Sequence, residues 1–462
     1  MPHRLMDPRT TQPHSAPCHP ATRWNVFSCL LAAAGVTVYL VLPISQLVLW
    51  GIPYDIPGGS VFAKFHPGSY LISLAVLVRL FLNQTNPLTA IAEFARRDRM
   101  VFLFLVTVVF MTLYTMLIHG VSGSAFIIET FLMPVLLAFV LEQCPLAARK
   151  KFYYWMLLLL LINSGLGLFE YFTQWRLVPY LVGEKLLVEK YFRATALCSH
   201  PLTCSFQTTV MLTSLLLLSH RPGIFWTSVP ILFLSLFAFG SRTAMILSIV
   251  IFGAWGIGKT IRKFRKGHME PRSGLLALAG LIVTPLLFIV TIQTLNLGER
   301  IFATFYWDSS ASSRMTAFQV LTRATPTDLL IGMSPEHIDD LLYYFMQYTE
   351  LTDIENFWIL LILQFGVILF TLFAITFIGA LYALVRGHSP VLWLTTAVFL
   401  LLSSSNNSLA TKSQFFSLLI GILYCGRAVE SPLEQSNQAA QSNQAAHPVH
   451  PSYLLPKWIK PD

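Results

Sequence analysis

Residues 356–385 read NFWILLILQFGVILFTLFAITFIGALYALV, and this run contains no Asp, Glu, Lys or Arg. A helix that crosses the hydrocarbon core of a bilayer needs about 20 mostly apolar residues. The whole 462-residue chain has the same character, with 55% hydrophobic and only 11% charged residues and a mean hydropathy of +0.63. A soluble domain carries about 25% charged residues. The composition therefore predicts a polytopic membrane protein and excludes soluble, fibrous and disordered classes.

Apolar stretches of similar kind on both sides of this run predict an all-α bundle of about twelve transmembrane helices. The twelve predicted spans are 25–50, 67–83, 100–119, 124–143, 152–173, 201–219, 224–240, 243–259, 275–297, 356–385, 390–405 and 413–427. The first span is too long for the apolar core of a signal peptide and lacks a cleavage-site pattern, so we interpret it as retained.

The predicted organisation has three parts. Residues 1–24 form a cytoplasmic tail, residues 25–428 form the membrane domain, and residues 429–462 form a disordered cytoplasmic tail. The second tail is polar and repeats the hexapeptide QSNQAA at 435–440 and 441–446, a composition typical of disorder.

The distribution of Lys and Arg predicts the orientation. If the N-terminus is cytoplasmic, 20 of the 31 basic residues fall on the cytoplasmic side and ten on the outer side, with Arg79 inside a span. Because cytoplasmic loops are enriched in basic residues, both termini are predicted to lie inside. The net charge of +9 is thus explained by topology and gives no reason to expect a nucleic-acid partner.

Two outer loops are long enough to carry function, at about 174–200 and 298–355. Within the second loop, residues 336–349 have the pattern of an amphipathic helix that lies on the membrane. The six cysteines contain no C-x-x-C pair and no zinc-ligand spacing. Cys198 and Cys204, six positions apart near the outer face, would point to different sides of one helix, so no disulfide is predicted unless the helix is broken.

Charged side chains at membrane depth are costly and are functional candidates by default. Glu129 and Glu170 fall in the outer halves of predicted spans. Each carboxylate is interpreted equally well as part of a functional site or as a structural partner of a neighbouring hydroxyl or Arg.

Further candidates lie where spans begin and end on the outer side. Arg193 and His200 bracket the entry to the sixth span, where the structural alternatives are an Arg bound to lipid phosphate and a His that begins a helix before Pro201. Arg242 lies in a turn of two or three residues between spans. An outer Arg in so short a turn opposes the positive-inside rule, which favours a functional role.

The large outer loop adds Arg300 and Arg314, and it returns to the membrane through Glu355 and Asn356. The acidic pair formed by Asp353 and Glu355 supplies too few oxygen ligands for a hard cation, so no metal site is predicted.

Several Arg side chains on one face suit a phosphate or pyrophosphate group, which a guanidinium binds through two parallel hydrogen bonds. A carboxylate or His beside them can take a proton from a hydroxyl nucleophile. The pattern therefore predicts transfer of a group away from a pyrophosphate, with Glu355, His200 and Glu170 as alternative bases.

These motifs resemble the Wzy polymerase and O-antigen ligase superfamily. The resemblance is carried by Arg193-x-Thr195-x5-Pro201, by Ser-Arg-Thr-Ala at 241–244, by Ser-Arg at 313–314 and by Glu355-Asn356 before a span. Residues 64–70 (KFHPGSY) and 355–358 (ENFW) look most like the VpsF-type exopolysaccharide branch. The resemblance covers roughly residues 25–425.

The resemblance implies a GT-C-like bundle at the outer face of the bacterial inner membrane. Such a protein transfers a glycan from undecaprenyl pyrophosphate to an acceptor hydroxyl, with inversion and without metal or cofactor. Arg193 and Arg242, with Arg300 and Arg314, would hold the pyrophosphate. Glu355 stands where the ligases usually have His, beside Asn356, and this difference favours a polymerase. A chain-length regulator and a flippase are the implied partners.

The sequence leaves three alternatives to a polymerase open. A ligase would move a finished glycan to lipid A core or to protein. A transporter or flippase for lipid-linked sugars would show repeats and charges near the bilayer midplane, whereas here the charges are predicted at the outer rim. A membrane scaffold would use the same Arg residues to bind lipid head groups.

Overall fold

A computed structural model of the chain describes residues 23–54, 59–82, 86–182, 185–187, 191–265, 317–347 and 354–446. These residues are almost entirely helical. The helices are α1 (Arg23–Val41), α2 (Ile44–Leu49), α3 (Pro67–Leu82), α4 (Pro87–Arg97), α5 (Arg99–Ile127), α6 (Met133–Glu142), α7 (Leu146–Thr173), α8 (Pro201–Ser214), α9 (Pro222–Phe239), α10 (Arg242–Arg265), α11 (Pro326–Ile331), α12 (Pro335–Met346), α13 (Phe357–Val385), α14 (Pro390–Ser404) and α15 (Phe415–Ala446).

Three short elements complete this part of the chain. A 3-10 turn (Val61–Lys64) precedes α3, a π-helical turn (Ile128–Leu132) joins α5 to α6, and a 3-10 turn (Leu215–Leu218) extends α8. Strands β1 (Leu181–Val182) and β2 (Lys185–Leu186) pair antiparallel in the loop after α7.

The prediction of a polytopic membrane protein is confirmed. Eight helical segments among the described residues are long and apolar enough to cross a membrane, or nine if the bent pair α3–α4 counts as one span. The shorter apolar helix α14 follows them. Of the twelve predicted spans, 275–297 lies outside the described residues.

Two boundaries differ from the sequence prediction. The predicted span 25–50 is interrupted, because α1 ends at Val41 and Pro43 precedes the separate short helix α2; proline removes a backbone donor and disfavours helix in the residue before it. At the other terminus, α15 continues as helix to Ala446, through part of the predicted tail. The Gln and Ala residues of that segment favour helix.

The helix directions define two ends of the bundle. We call the end at which α8, α10 and α13 begin the top. Ser45 N donates to Ser199 Oγ at 3.0 Å there. At the bottom, Arg79 Nη1 donates to Asn25 Oδ1 at 2.6 Å.

The cysteines pair differently from the prediction. Cys198 and Cys204 form a disulfide with their Cα atoms 5.4 Å apart, because Cys198 lies in a loop and α8 begins only at Pro201. Cys29 and Cys144 are also bonded, near the bottom. Cys425 is a buried free thiol. The prediction excluded a disulfide between Cys198 and Cys204 only for an unbroken helix, and the structure contains the break that permits it.

The segment between α10 and α13 packs into the bundle through Gly332 and Gly366, each of which lies against the backbone at the other. Gly366 interrupts α13 with φ 69° and ψ 165°, a conformation essentially restricted to glycine. A Cβ at Gly366 would collide with the carbonyl group of Leu330 in α11. Met333 N donates to Leu363 O at 2.7 Å beside this contact, so α11 is fastened directly onto α13.

We expect Gly366→Ala to lower the free energy of unfolding by about 3 kcal/mol, because it combines a forbidden backbone conformation with a backbone collision. Thermal unfolding of the detergent-solubilised protein measures the effect. Gly165→Ala is the matched control, since a Cβ there meets nothing within 4 Å. Equal melting temperatures for the two variants would contradict this account of the kink.

Candidate functional site

A polar cavity of about 180 Å³ opens at the top of the bundle. Four residues singled out from the sequence line it together: Arg193, His200, Arg242 and Glu355. The remaining lining residues are Leu202, Phe206, Gly240, Ser241, Thr243 and Ser405. Two fixed positive charges and one carboxylate thus share a small cavity.

The position of Arg193 depends on the turn after α9. Ala194 N donates to Ala238 O at 2.9 Å and ties the Arg193 segment to the end of this helix. Gly240 follows with φ 71°. A Cβ at Gly240 would lie 3.1 Å from Arg193 Cδ. Glycine is therefore required at 240 for two reasons. It adopts the left-handed backbone conformation, and its missing Cβ leaves room for the Arg193 side chain.

Glu170 binds the backbone of the loop that carries Arg193. It is fully buried, and its Oε2 accepts hydrogen bonds from Thr195 N at 2.9 Å and Ala196 N at 2.8 Å. Its Oε1 accepts from Leu177 N at 2.9 Å. Glu170 does not line the cavity, so the structure places it as the anchor of the segment that carries Arg193.

Replacing Glu170 by Gln should be destabilising, because an amide NH₂ would face backbone N–H groups that can only donate. We expect a loss of about 1–3 kcal/mol in the free energy of unfolding and weaker anion binding through displacement of Arg193. Melting temperature and the binding of inorganic pyrophosphate, measured on the same preparation, check this. Glu93→Gln, at an exposed position on α4, is the control; a Glu170→Gln protein that matches it in both readouts would contradict the anchor role.

His200 begins α8 as its N-cap, and its Nδ1 accepts a hydrogen bond from Leu202 N at 3.1 Å. A backbone N–H can only donate, so the lone pair of Nδ1 is in use and the ring proton lies on Nε2. His200 therefore presents a hydrogen-bond donor. Among the groups that line the cavity, this leaves Glu355 as the one suited to accept a proton.

Three helices begin beside the cavity. Leu202 is in the first turn of α8, and Arg242 and Thr243 open α10. Glu355 lies two residues before Phe357, the first residue of α13. The first N–H groups of α8 and α13 are capped by His200 and Asn356, but each helix N-terminus still carries about half a positive charge. Three such ends and two Arg side chains make the cavity suited to an anion.

Asn356 stands apart from the cavity and caps α13. Its Oδ1 accepts hydrogen bonds from Trp358 N at 3.0 Å and Ile359 N at 3.3 Å. Phe357 N donates to Asn406 O at 3.0 Å, which brings the 405–414 loop beside Glu355. The described side-chain contacts of Asn356 are thus those of a helix N-cap.

The other predicted residues lie elsewhere. Glu129, on the π-helical turn, accepts hydrogen bonds from Tyr54 Oη, from His66 N and from Ser69 Oγ, in a buried polar cluster outside the cavity. Arg300 and Arg314 lie outside the described residues. Among the residues that are described, no group of three or more His, Cys, Asp or Glu has a geometry that would hold a metal ion.

Ser405 and Gly240 line the cavity but were not predicted as parts of the site. Ser405 carries no local signal, because it reaches the cavity only through the packing of the 405–414 loop against α13. Gly240 does have a local sequence signal, because a glycine directly after an apolar run marks a helix C-terminus.

Comparisons of the chain with protein-family models, with curated proteins and with solved structures gave no match. The chemistry of the cavity is therefore the basis for assigning a function.

Proposed function

We propose that the protein is a polysaccharide polymerase that joins lipid-linked oligosaccharide repeat units. In this reaction a hydroxyl of the acceptor glycan attacks the anomeric carbon of the donor. The bond from that carbon to the pyrophosphate oxygen breaks, and polyprenyl pyrophosphate leaves. The observation that carries the proposal is the cavity in which Arg193, Arg242, His200 and Glu355 meet.

Each cavity group has a task in this reaction. Arg193 and Arg242 bind the pyrophosphate and stabilise the charge that grows on it as the bond breaks. His200 donates its Nε2 proton in a hydrogen bond. Glu355 accepts the proton of the attacking hydroxyl. The charges of the cavity thus suit an anionic leaving group and a neutral nucleophile, and no metal is required.

The proposed orientation puts the top of the bundle at the outer face of a bacterial inner membrane and both termini in the cytoplasm. This follows from the excess of Lys and Arg in the loops at the bottom. The donor is then an undecaprenyl-pyrophosphate-linked glycan in the outer leaflet, with a flippase and a chain-length regulator as partners. The bundle itself is proposed to be GT-C-like, with about twelve spans.

The test uses a deletion strain complemented with wild type, Arg242→Ala or Arg221→Ala. Arg221 is the matched control, since it lies at the bottom over the Tyr154 ring. Lipid-linked glycans and exported polysaccharide are extracted and sized, and membrane abundance is checked for each variant. We expect Arg242→Ala to accumulate single lipid-linked repeat units and to make no polymer.

Other outcomes overturn the proposal in distinct ways. Long lipid-linked polymer that never reaches its acceptor would identify a ligase. Single repeat units protected from a membrane-impermeant glycosidase would identify a flippase, because they would remain in the inner leaflet. Normal polymer in Arg242→Ala would leave the Arg residues as lipid anchors of a scaffold.

A further inference from the structure

A second cavity, of about 630 Å³, lies at the bottom half of the bundle between α1 and the start of α7. One wall is a stripe of α1 residues that recurs every three or four positions from Val26 to Val38. The other wall is formed mainly by the first ten residues of α7. We call this cavity the α1–α7 groove. It shares no lining residue with the polar cavity at the top of the bundle.

The dimensions of the groove match one lipid chain. The thirteen helical residues from Val26 to Val38 span twelve steps of 1.5 Å, or about 18 Å. One leaflet of the hydrocarbon core is about 15 Å thick. The volume also falls within the range of about 300–1,000 Å³ that ligand cavities occupy. Small side chains, among them Ala33, Ala34 and Ala148, leave this space open.

The deep part of the groove offers only apolar surface. Its polar side chains satisfy one another, because Trp155 Nε1 donates to Thr37 Oγ1 at 2.8 Å. The Thr37 hydroxyl in turn donates to Ala33 O at 2.8 Å. Hydrocarbon can therefore fill this part without breaking a hydrogen bond.

The mouth of the groove is basic. Arg149 and Lys151 line it, in the first turns of α7. Among the described residues, the Nε of Arg149 is buried without a hydrogen-bond partner. Within the described part of the chain, the nearby carboxylate of Glu142 pairs with Arg97, and Arg149 has no ion pair within 4 Å. Because this Nε is covered, a phosphate in the groove would be bound by the charged ends of Arg149 and Lys151, which line it.

We propose that the α1–α7 groove binds one anionic glycerophospholipid, with an acyl chain along α1 and the phosphate at Arg149 and Lys151. An apolar groove with a basic mouth at one membrane surface has the amphiphilic character of such a lipid. Basic sites between transmembrane helices bind anionic head groups in this way. The proposal does not depend on the reaction at the top of the bundle.

The test measures lipid retained by the full-length protein in mild detergent, by native mass spectrometry after addition of phosphatidylglycerol or phosphatidylethanolamine. Wild type should retain one phosphatidylglycerol in preference to phosphatidylethanolamine. Arg149→Gln combined with Lys151→Gln should weaken that retention about thirtyfold. Lys150→Gln is the matched control, because Lys150 is adjacent in sequence but does not line the groove.

A second pair of variants tests the chain-binding part. Ala148→Phe fills the groove and should abolish retention of both lipids, whereas Ala147→Phe, at the exposed neighbouring position, should retain them. Equal retention of the two lipids by wild type, unchanged binding in the Arg149 and Lys151 variant, or bound lipid in a folded Ala148→Phe protein would each overturn the proposal.

Discussion

Glu355→Gln is expected to reduce glycan transfer by about 10²- to 10⁴-fold, the contribution of a positioned general base. The amide keeps the size of the carboxylate but cannot take the proton of the acceptor hydroxyl. His200 cannot replace it, because its Nδ1 is occupied by Leu202 N. Purified protein in vesicles, supplied with lipid-linked repeat units, gives the rate directly. Donor affinity should change little, since Glu355 is proposed to act on the nucleophile.

The control for this prediction is Glu336→Gln. Glu336 lies on α12 in the same large loop but does not line the cavity. Its variant should polymerise at the wild-type rate. A Glu355→Gln protein that is folded and within a few-fold of wild type would exclude Glu355 as the base and would require a different proton acceptor.

Arg242→Lys is expected to lower turnover by about 10²-fold, the loss seen when one donor to a developing negative charge is removed. Lys preserves the positive charge and the attraction for lipid phosphate, but it loses the planar fork that binds two oxygens at once. Because the interaction strengthens as the pyrophosphate leaves, kcat should fall more than donor affinity. Arg193→Lys should behave in the same way, since both side chains line one cavity.

Arg221→Lys at the bottom of the bundle is the control for this second prediction, and it should retain wild-type turnover. The comparison separates catalysis from lipid anchoring, because a lipid anchor tolerates the exchange of Arg for Lys. Turnover of Arg242→Lys equal to that of Arg221→Lys would count against a pyrophosphate clamp in this cavity.

The fold was predictable where the signal is local. Apolar runs of about 20 residues report a membrane span by themselves, because backbone polar groups must be satisfied within each helix in lipid. The helix predicted at 336–349 is present as Pro335–Met346. The interruption of the first span at Pro43 and the attachment of α11 at Gly366 escaped prediction, since hydropathy does not record a break inside an apolar run.

The site was predictable as a set of residues but not as an arrangement. Arg and His residues where apolar runs begin and end are unusual enough to be recognised in the sequence, and four of the predicted residues do line one cavity. Which polar groups face the cavity and which stabilise the backbone was decided by tertiary contacts. Glu170 accepts three backbone N–H groups, and His200 uses its Nδ1 to begin a helix.

By itself, then, the sequence determined the class of protein, most of its helices and the residues able to bind an oxyanion, because each of these depends on short stretches of chain. The tertiary structure alone decided which of those residues meet. Arg193, Arg242 and Glu355 come from three distant segments, and they converge because α8, α10 and α13 begin at one end of the bundle. That convergence follows from how the helices pack, which no single stretch of sequence records.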